Sequence, residues 1–222
     1  IFKNKPGIYF RDFDPLSTPS KKNQDLLFKY APKELTESMN ISHGKTWRPL
    51  FEFQKLGDYG PYLYEPFQAA LKETNPTEIE LKDFGYWSLP YKLYDDDMEV
   101  ISYSVPLILN DGTIYGVLGV EISLDYLQEQ LPNDELIDDE QGSYLLGVEN
   151  DKPGTFQNIL INGMIYSQAV GSQDTTQIVE KGEDHIIKNQ KRIMYADAEY
   201  LDLYGENTEF SNQKWALIGI VP

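Results

Sequence analysis

Two stretches rich in β-branched and aromatic residues, 99–109 and 113–123, flank the tripeptide Asn110-Asp111-Gly112. Asp-Gly between two such runs predicts a tight antiparallel hairpin, because the turn that matches strand twist needs a residue at positive φ. This ribbon limits what the chain can fold into more than any other feature. The segments around it do not alternate as βαβ units. Residues 62–73 repeat Leu63, Phe67, Ala70 and Leu71 at helical spacing, with Pro66 tolerable only in a first turn. Residues 124–131 read as a short helix capped by Ser123 or Asp125 and ended by Pro132. The acid-rich, non-periodic stretch 132–141 reads as a join between two modules. Beyond it, extended segments are expected at 142–149, 159–161, 164–169, 192–199, 200–204 and 214–221, with a brief helix or turn at 184–190. The pattern is α+β with mainly antiparallel sheets, which disfavours a doubly wound nucleotide fold.

The first 58 residues are the least regular. A short strand is expected at 7–10, weak helical periodicity at 25–30 and 33–39 is split by Pro32, and aromatics cluster at 47–53 around Pro49. Further on, Phe84, Tyr86, Trp87, Tyr91 and Tyr94 crowd into residues 83–94, and 95–97 reads as a hairpin tip.

Composition removes several function classes. With 19 Lys and Arg against 36 Asp and Glu, the chain carries −17, and it has no Lys/Arg cluster of six or more. Such a surface repels phosphate backbones, so no nucleic-acid partner is expected. The absence of cysteine excludes disulfides, thiolate nucleophiles and iron–sulfur ligation. His43 and His185 are too few for a histidine-rich metal cage. Phosphate-binding, dinucleotide, nucleophile-elbow and zincin motifs are all missing, and no acidic run has calcium-loop order. No metal, cofactor or catalytic residue is expected. The longest apolar runs, at 115–120 and 215–221, fall well short of the roughly 20 residues that span a bilayer. The chain begins at Ile1 without a signal peptide and ends on a strand-like run, so it is expected to be a piece of a longer protein.

One acid stands apart. Glu121 lies inside the second hairpin run between Val120 and Ile122. A dry, unpaired carboxylate in a strand costs several kcal/mol. Glu121 therefore faces water, pairs with a structural partner, or lines a polar pocket and meets a ligand. In the last case Tyr86, Trp87, Tyr91 and Tyr103 are the natural walls, with Tyr64 a weaker candidate, unless those rings simply pack in the core. Aromatic walls with a single anion suit an amine or another cation.

The order Gly85-Tyr86-Trp87-Ser88-Leu89-Pro90-Tyr91, then Val-Ile-Ser-Tyr-Ser-Val-Pro-Leu at 100–107, then Asp111-Gly112, then Gly-Val-Leu-Gly-Val-Glu-Ile at 116–122 resembles the double Cache (dCache) family. These are extracytoplasmic sensor regions of bacterial transmembrane receptors. The resemblance covers residues 62–222 and implies two tandem PAS-like modules, each a mainly antiparallel sheet with flanking helices. The distal ligand-binding module would span 1–131 and a smaller, membrane-proximal one 132–222. A long helix normally precedes both and is largely absent here, which leaves homodimerisation through that helix as an expectation. Amino-acid-binding members carry an aspartate two residues after the Pro-Tyr, where this chain has Leu93, and Glu121 stands at the place of a second aspartate. The carboxylate-gripping Arg-x-Trp-Tyr has no counterpart at 71–75, so the resemblance implies a small molecule other than an α-amino acid. The parent protein would be membrane-anchored, with this segment on the extracytoplasmic face and a diguanylate cyclase or histidine kinase favoured over a chemotaxis module as output. Two other classes remain in view: a secreted carbohydrate-active enzyme or glycan-binding module, which needs a second carboxylate in an aromatic cleft, and a ligand-free structural surface domain.

Overall fold

The structure is a computed structural model that describes residues 9–12, 26–30, 37–38, 42–48, 60–92, 98–131, 142–163, 175–181, 184–188, 193–205 and 208–221. The chain forms two compact units, Ile1–Thr77 with Pro106–Leu118 and Glu78–Val105 with Gly119–Pro222. The expected hairpin tip at 95–97, the join at 132–141 and the extended piece at 164–169 lie outside the described residues.

In the first unit, strand β2 (Leu26–Tyr30) is central, antiparallel to β1 (Tyr9–Asp12) and parallel to β3 (Ser42–Arg48). The helical periodicity expected at 25–30 is thus overruled. Five residues are too few to sustain a helix in water, whereas β2 takes ladder hydrogen bonds on both edges. Of residues 33–39, the described pair Glu37 and Ser38 is helical. Helix α1 runs Gly60–Lys72, two residues earlier than the spacing predicts, which moves Pro66 from the first turn to the interior. A proline there removes one helical hydrogen bond. Its ring is instead buried in line with Ala69 and Ala70, while Leu71, expected on that stripe, is 54% exposed.

The second sheet is built on the predicted ribbon. Short strands β4 (Tyr86–Trp87) and β5 (Tyr91–Lys92) pair antiparallel with β6 (Glu99–Ile108), and β7 (Ile114–Ser123) pairs with β6 as well. The turn closes through Leu109 and Gly112: the Leu109 N–H donates to Thr113 O at 2.9 Å, and the Gly112 N–H donates to Leu109 O at 2.9 Å. Gly112 sits at φ +83°, the conformation that the Asp-Gly pair predicts. Strand β7 passes directly into helix α2 (Leu124–Glu129), whose N-cap is Ser123, one of the two expected caps.

The remaining strands are β8 (Ser143–Glu149), β9 (Thr155–Asn162), β10 (Thr175–Lys181), β11 (Asp184–Lys188), β12 (Ile193–Leu201) and β13 (Trp215–Val221). They close into an antiparallel barrel in the order β10-β11-β12-β13-β8-β9. The brief helix or turn expected at 184–190 is strand β11, hydrogen-bonded on both sides by β10 and β12. The two strands expected at 192–204 are one. In β12, Met194 and Ala196 are buried while Tyr195 and Asp197 are exposed, and the pairing with β13 runs unbroken from Tyr195 to Leu201, through the expected break.

Two apolar clusters hold the second unit. Leu145, Phe156, Ile187, Met194, Ala196, Ala216, Ile218 and Ile220 fill the barrel. Ile101 from the sheet, Leu124 from α2, and Val148, Ile159, Leu160 and Trp215 from the barrel wall form the other, joined by Trp87, Ile122, Leu127 and Leu131. Alternation along β13 explains the division: Ala216, Ile218 and Ile220 point inward, and Trp215 points to the sheet side.

Candidate functional site

Cross-strand partners share a sheet face, so the register sorts the aromatics. Trp87 opposes Tyr103, which puts both on the face of Ile101. Tyr91 opposes Val100, on the face of Ser102. The two pairings differ by a one-residue slip in register, and the slip falls at Leu89-Pro90. Proline has no N–H to give the ladder. Ser88 repairs the gap: its N–H donates to Ser102 O at 2.8 Å, and its side-chain oxygen accepts the Ser102 N–H at 2.9 Å.

On the Tyr91 face, three strands contribute to one polar row. The Tyr91 hydroxyl donates to Glu121 Oε1 at 3.1 Å and is hydrogen-bonded to Ser102 Oγ. A phenol has one proton. With that proton committed to the carboxylate, Ser102 is the donor in the second bond, which orders the chain as Ser102 to Tyr91 to Glu121. Ser102 is 0% exposed, and Ser88 and Ser104 are also buried, so the row sits on a polar floor. A carboxylate held by a tyrosine hydroxyl in partial burial is a strong acceptor for charged N–H donors.

On the opposite face, Trp87 and Tyr103 stack at 4.9 Å between ring centroids, and Trp87 approaches Trp215 at 6.4 Å. Tyr103 lies against Gly85, where any Cβ would fall 2.3 Å from the tyrosine hydroxyl. Burial, with the nearby Asp83 charge, raises the Tyr103 pKa. The Tyr204 hydroxyl accepts the Trp87 N–H at 2.9 Å and donates to Gln213 Oε1 at 2.7 Å. Burial is the main reason the Tyr204 pKa stands far above its ordinary value. Tyr86 meets Phe210 edge-on at 5.0 Å.

Of the residues predicted from sequence, the structure brings Tyr91 and Glu121 together, and separately Trp87 and Tyr103. Tyr86 joins the Phe210 and Tyr204 rings, and Tyr64 is 40% exposed on α1 in the first unit. Ser88 and Ser102 were not foreseen. The signal for Ser102 was a serine at the buried parity of an otherwise apolar strand, in the run Val100-Ile101-Ser102-Tyr103-Ser104. Among the described residues no group of three or more His, Cys, Asp or Glu is placed to hold a metal, and no helix is long and apolar enough to cross a membrane.

No curated protein matches the sequence. Among solved structures, the ligand-binding domain of the Pseudomonas aeruginosa PAO1 amino acid chemoreceptor PctC in complex with GABA is 13% identical, with a TM-score of 0.41 over 63% of this chain and 56% of that one. The ligand-binding domain of the Pseudomonas fluorescens chemoreceptor CtaA with L-alanine is 15% identical, with a TM-score of 0.41 over 62% and 54%. That of Campylobacter jejuni Tlp3 with L-norvaline is 15% identical, with a TM-score of 0.36 over 78% and 55%. The chain thus spans little more than half the length of these domains. Residues 24–129, which contain Tyr91, Ser102 and Glu121, match the family described as methyl-accepting chemotaxis protein-like, first PDC sensor domain. Over that segment the sequence is similar to sensor domains of the PDC, or Cache, type.

Proposed function

We propose that this segment is the extracytoplasmic small-molecule-sensing part of a bacterial receptor, with no catalysis of its own, and that the ligand engages the Tyr91–Ser102–Glu121 row through an amine or another cationic group. The observation that carries the proposal is the 3.1 Å bond that holds the Glu121 carboxylate by the Tyr91 hydroxyl, inside the segment that matches the sensor family. Strand β5 hangs from β6 below the Leu89-Pro90 interruption, so the stretch from Tyr86 to Tyr91 can shift on occupancy without breaking a continuous ladder. Trp87 and Tyr103 support that stretch from the other face, and Tyr86 anchors its start. A switch follows only where the ligand touches one position of the stretch more strongly than the other.

In this proposal the tandem division at 131/132 holds, with the barrel as the membrane-proximal module and a membrane anchor in the parent protein. The family match supports a chemotaxis output over a diguanylate cyclase or histidine kinase. Thermal-shift screening of the purified chain against amines, polyamines and amino acids tests the ligand class. A ligand at 100 times its Kd adds about 2.7 kcal/mol of stability. Glu121→Gln is expected to weaken the best binder about tenfold or more, the loss of a charge-assisted contact. Unchanged affinity in both Glu121→Gln and Tyr91→Phe would remove the site.

A further inference from the structure

Helix α2 is six residues long and follows β7 with no intervening loop, so its first residue lies three positions beyond Glu121. A helix this short does not hold itself in water, so its position is set by its ends and its packing. At the N-terminus, Ser123 Oγ accepts the Tyr126 N–H at 3.2 Å. At the other end the last turn has no basic residue, and it closes tightly: the Gln130 N–H donates to Leu127 O at 3.1 Å and the Leu131 N–H to Gln128 O at 3.2 Å. Asn162 adds to these bonds from the barrel. Its side-chain amide donates to Gln128 O at 3.2 Å and also to Leu131 O. Asn162 is the last residue of β9, in register with Tyr144 of β8, and so belongs to the barrel wall. Leu124, Leu127 and Leu131 pack on Val148, Ile159 and Leu160 beside it.

We infer that Asn162 is a positioning residue that couples the barrel to strand β7: a shift of β7 at Glu121 moves α2, and the two hydrogen bonds donated by the Asn162 amide carry that movement into β9. The inference rests on the proposed sensing role of the Tyr91–Ser102–Glu121 row and assigns the route by which it signals. Apolar packing alone lets α2 slide over the barrel, because it is non-directional. Two hydrogen bonds from one side chain fix the helix end in direction as well as distance.

The test uses the whole chain without ligand, with Tyr91→Phe as the perturbation and amide hydrogen exchange as the readout. In the parent background, Tyr91→Phe is expected to speed exchange at residues 124–131 and at 159–162 by roughly three- to tenfold, the range for one net hydrogen bond. With Asn162→Ala, the rise at 124–131 persists and the rise at 159–162 disappears. Asn162→Asp, which keeps the size but presents no donor, serves the same purpose should the alanine variant fail to fold. A merely structural asparagine would loosen α2 without separating the two responses. An equal rise at 159–162 with and without Asn162, or no rise there in the parent, overturns the coupling. Because no ligand enters the experiment, such a result leaves the sensing proposal to its own titration.

Discussion

The polar row of the sheet and the interior of the barrel are both laid out on antiparallel ladders, yet they bury opposite kinds of group. The barrel is filled by Leu145, Phe156, Met194, Ile218 and Ile220, with the small residues Ala196 and Ala216 making room. Its buried threonine, Thr176, is satisfied by Asn158 at 2.8 Å. The sheet buries Ser88, Ser102 and Ser104 and holds Tyr91 and Glu121 above them. Apolar contact scales with area and does not depend on direction, so the barrel is stabilised by being full. The row is stabilised only while each donor meets its acceptor, and removing one partner exposes the cost of the other. A filled barrel suits a body that moves as one piece. A row of hydroxyls ending in a carboxylate suits a surface that can exchange partners.

Three perturbations sharpen that contrast. The largest effect is expected inside the barrel: Phe156→Ala should cost about 3–5 kcal/mol, since truncating a buried ring loses transfer energy and leaves a cavity. Urea denaturation followed by tryptophan fluorescence measures it, and a cost below 1 kcal/mol would show that the barrel is not a packed core. A middle-sized effect is expected at the sheet. Ser88→Ala leaves the buried Ser102 N–H without its acceptor and should cost about 1–3 kcal/mol. The change removes almost no apolar area, so a large loss there reports polar satisfaction alone. If Ser88→Ala proves neutral, the row is not sustained by its hydrogen bonds.

The smallest effect concerns the outer wall of the barrel. The Tyr200 hydroxyl donates to Glu149 Oε1 at 2.9 Å, and the same oxygen accepts the Gly154 N–H at 2.8 Å. Burial first, then the bond and charge of Glu149, push the Tyr200 pKa from 10.0 to about 12. A tyrosine with a raised pKa binds its proton more tightly in the folded chain. Its contribution is therefore complete below pH 10 and fades as pH rises toward about 12. Tyr200 is more than half exposed, so the change should be slight and should vanish in Tyr200→Phe when stability is followed across that range. A pH response that persists without Tyr200 assigns it to another group.

Several elements were legible in the sequence because their signals are local. The ribbon follows from Asp111-Gly112 between β-branched runs, and α2 from Ser123 ahead of Leu124 and Leu127. Strands β8 and β13 follow from apolar runs. Strands β2 and β11 were not legible, because five residues carry too little periodicity and their conformation depends on neighbours far along the chain.

Sequence alone determined the chemistry available to this protein: an acidic, cysteine-free chain with aromatics crowded around one ribbon and a single carboxylate within its second strand. Tertiary structure decided which of those groups meet. Counting by twos from Trp87 puts Tyr91 on the same face, but the one-residue slip at Leu89-Pro90 turns Tyr91 to the other side, toward Ser102 and Glu121. Side-chain direction in a strand has a period of two, so one extra residue exchanges the faces, and only the pairing with β6 reveals where that residue falls.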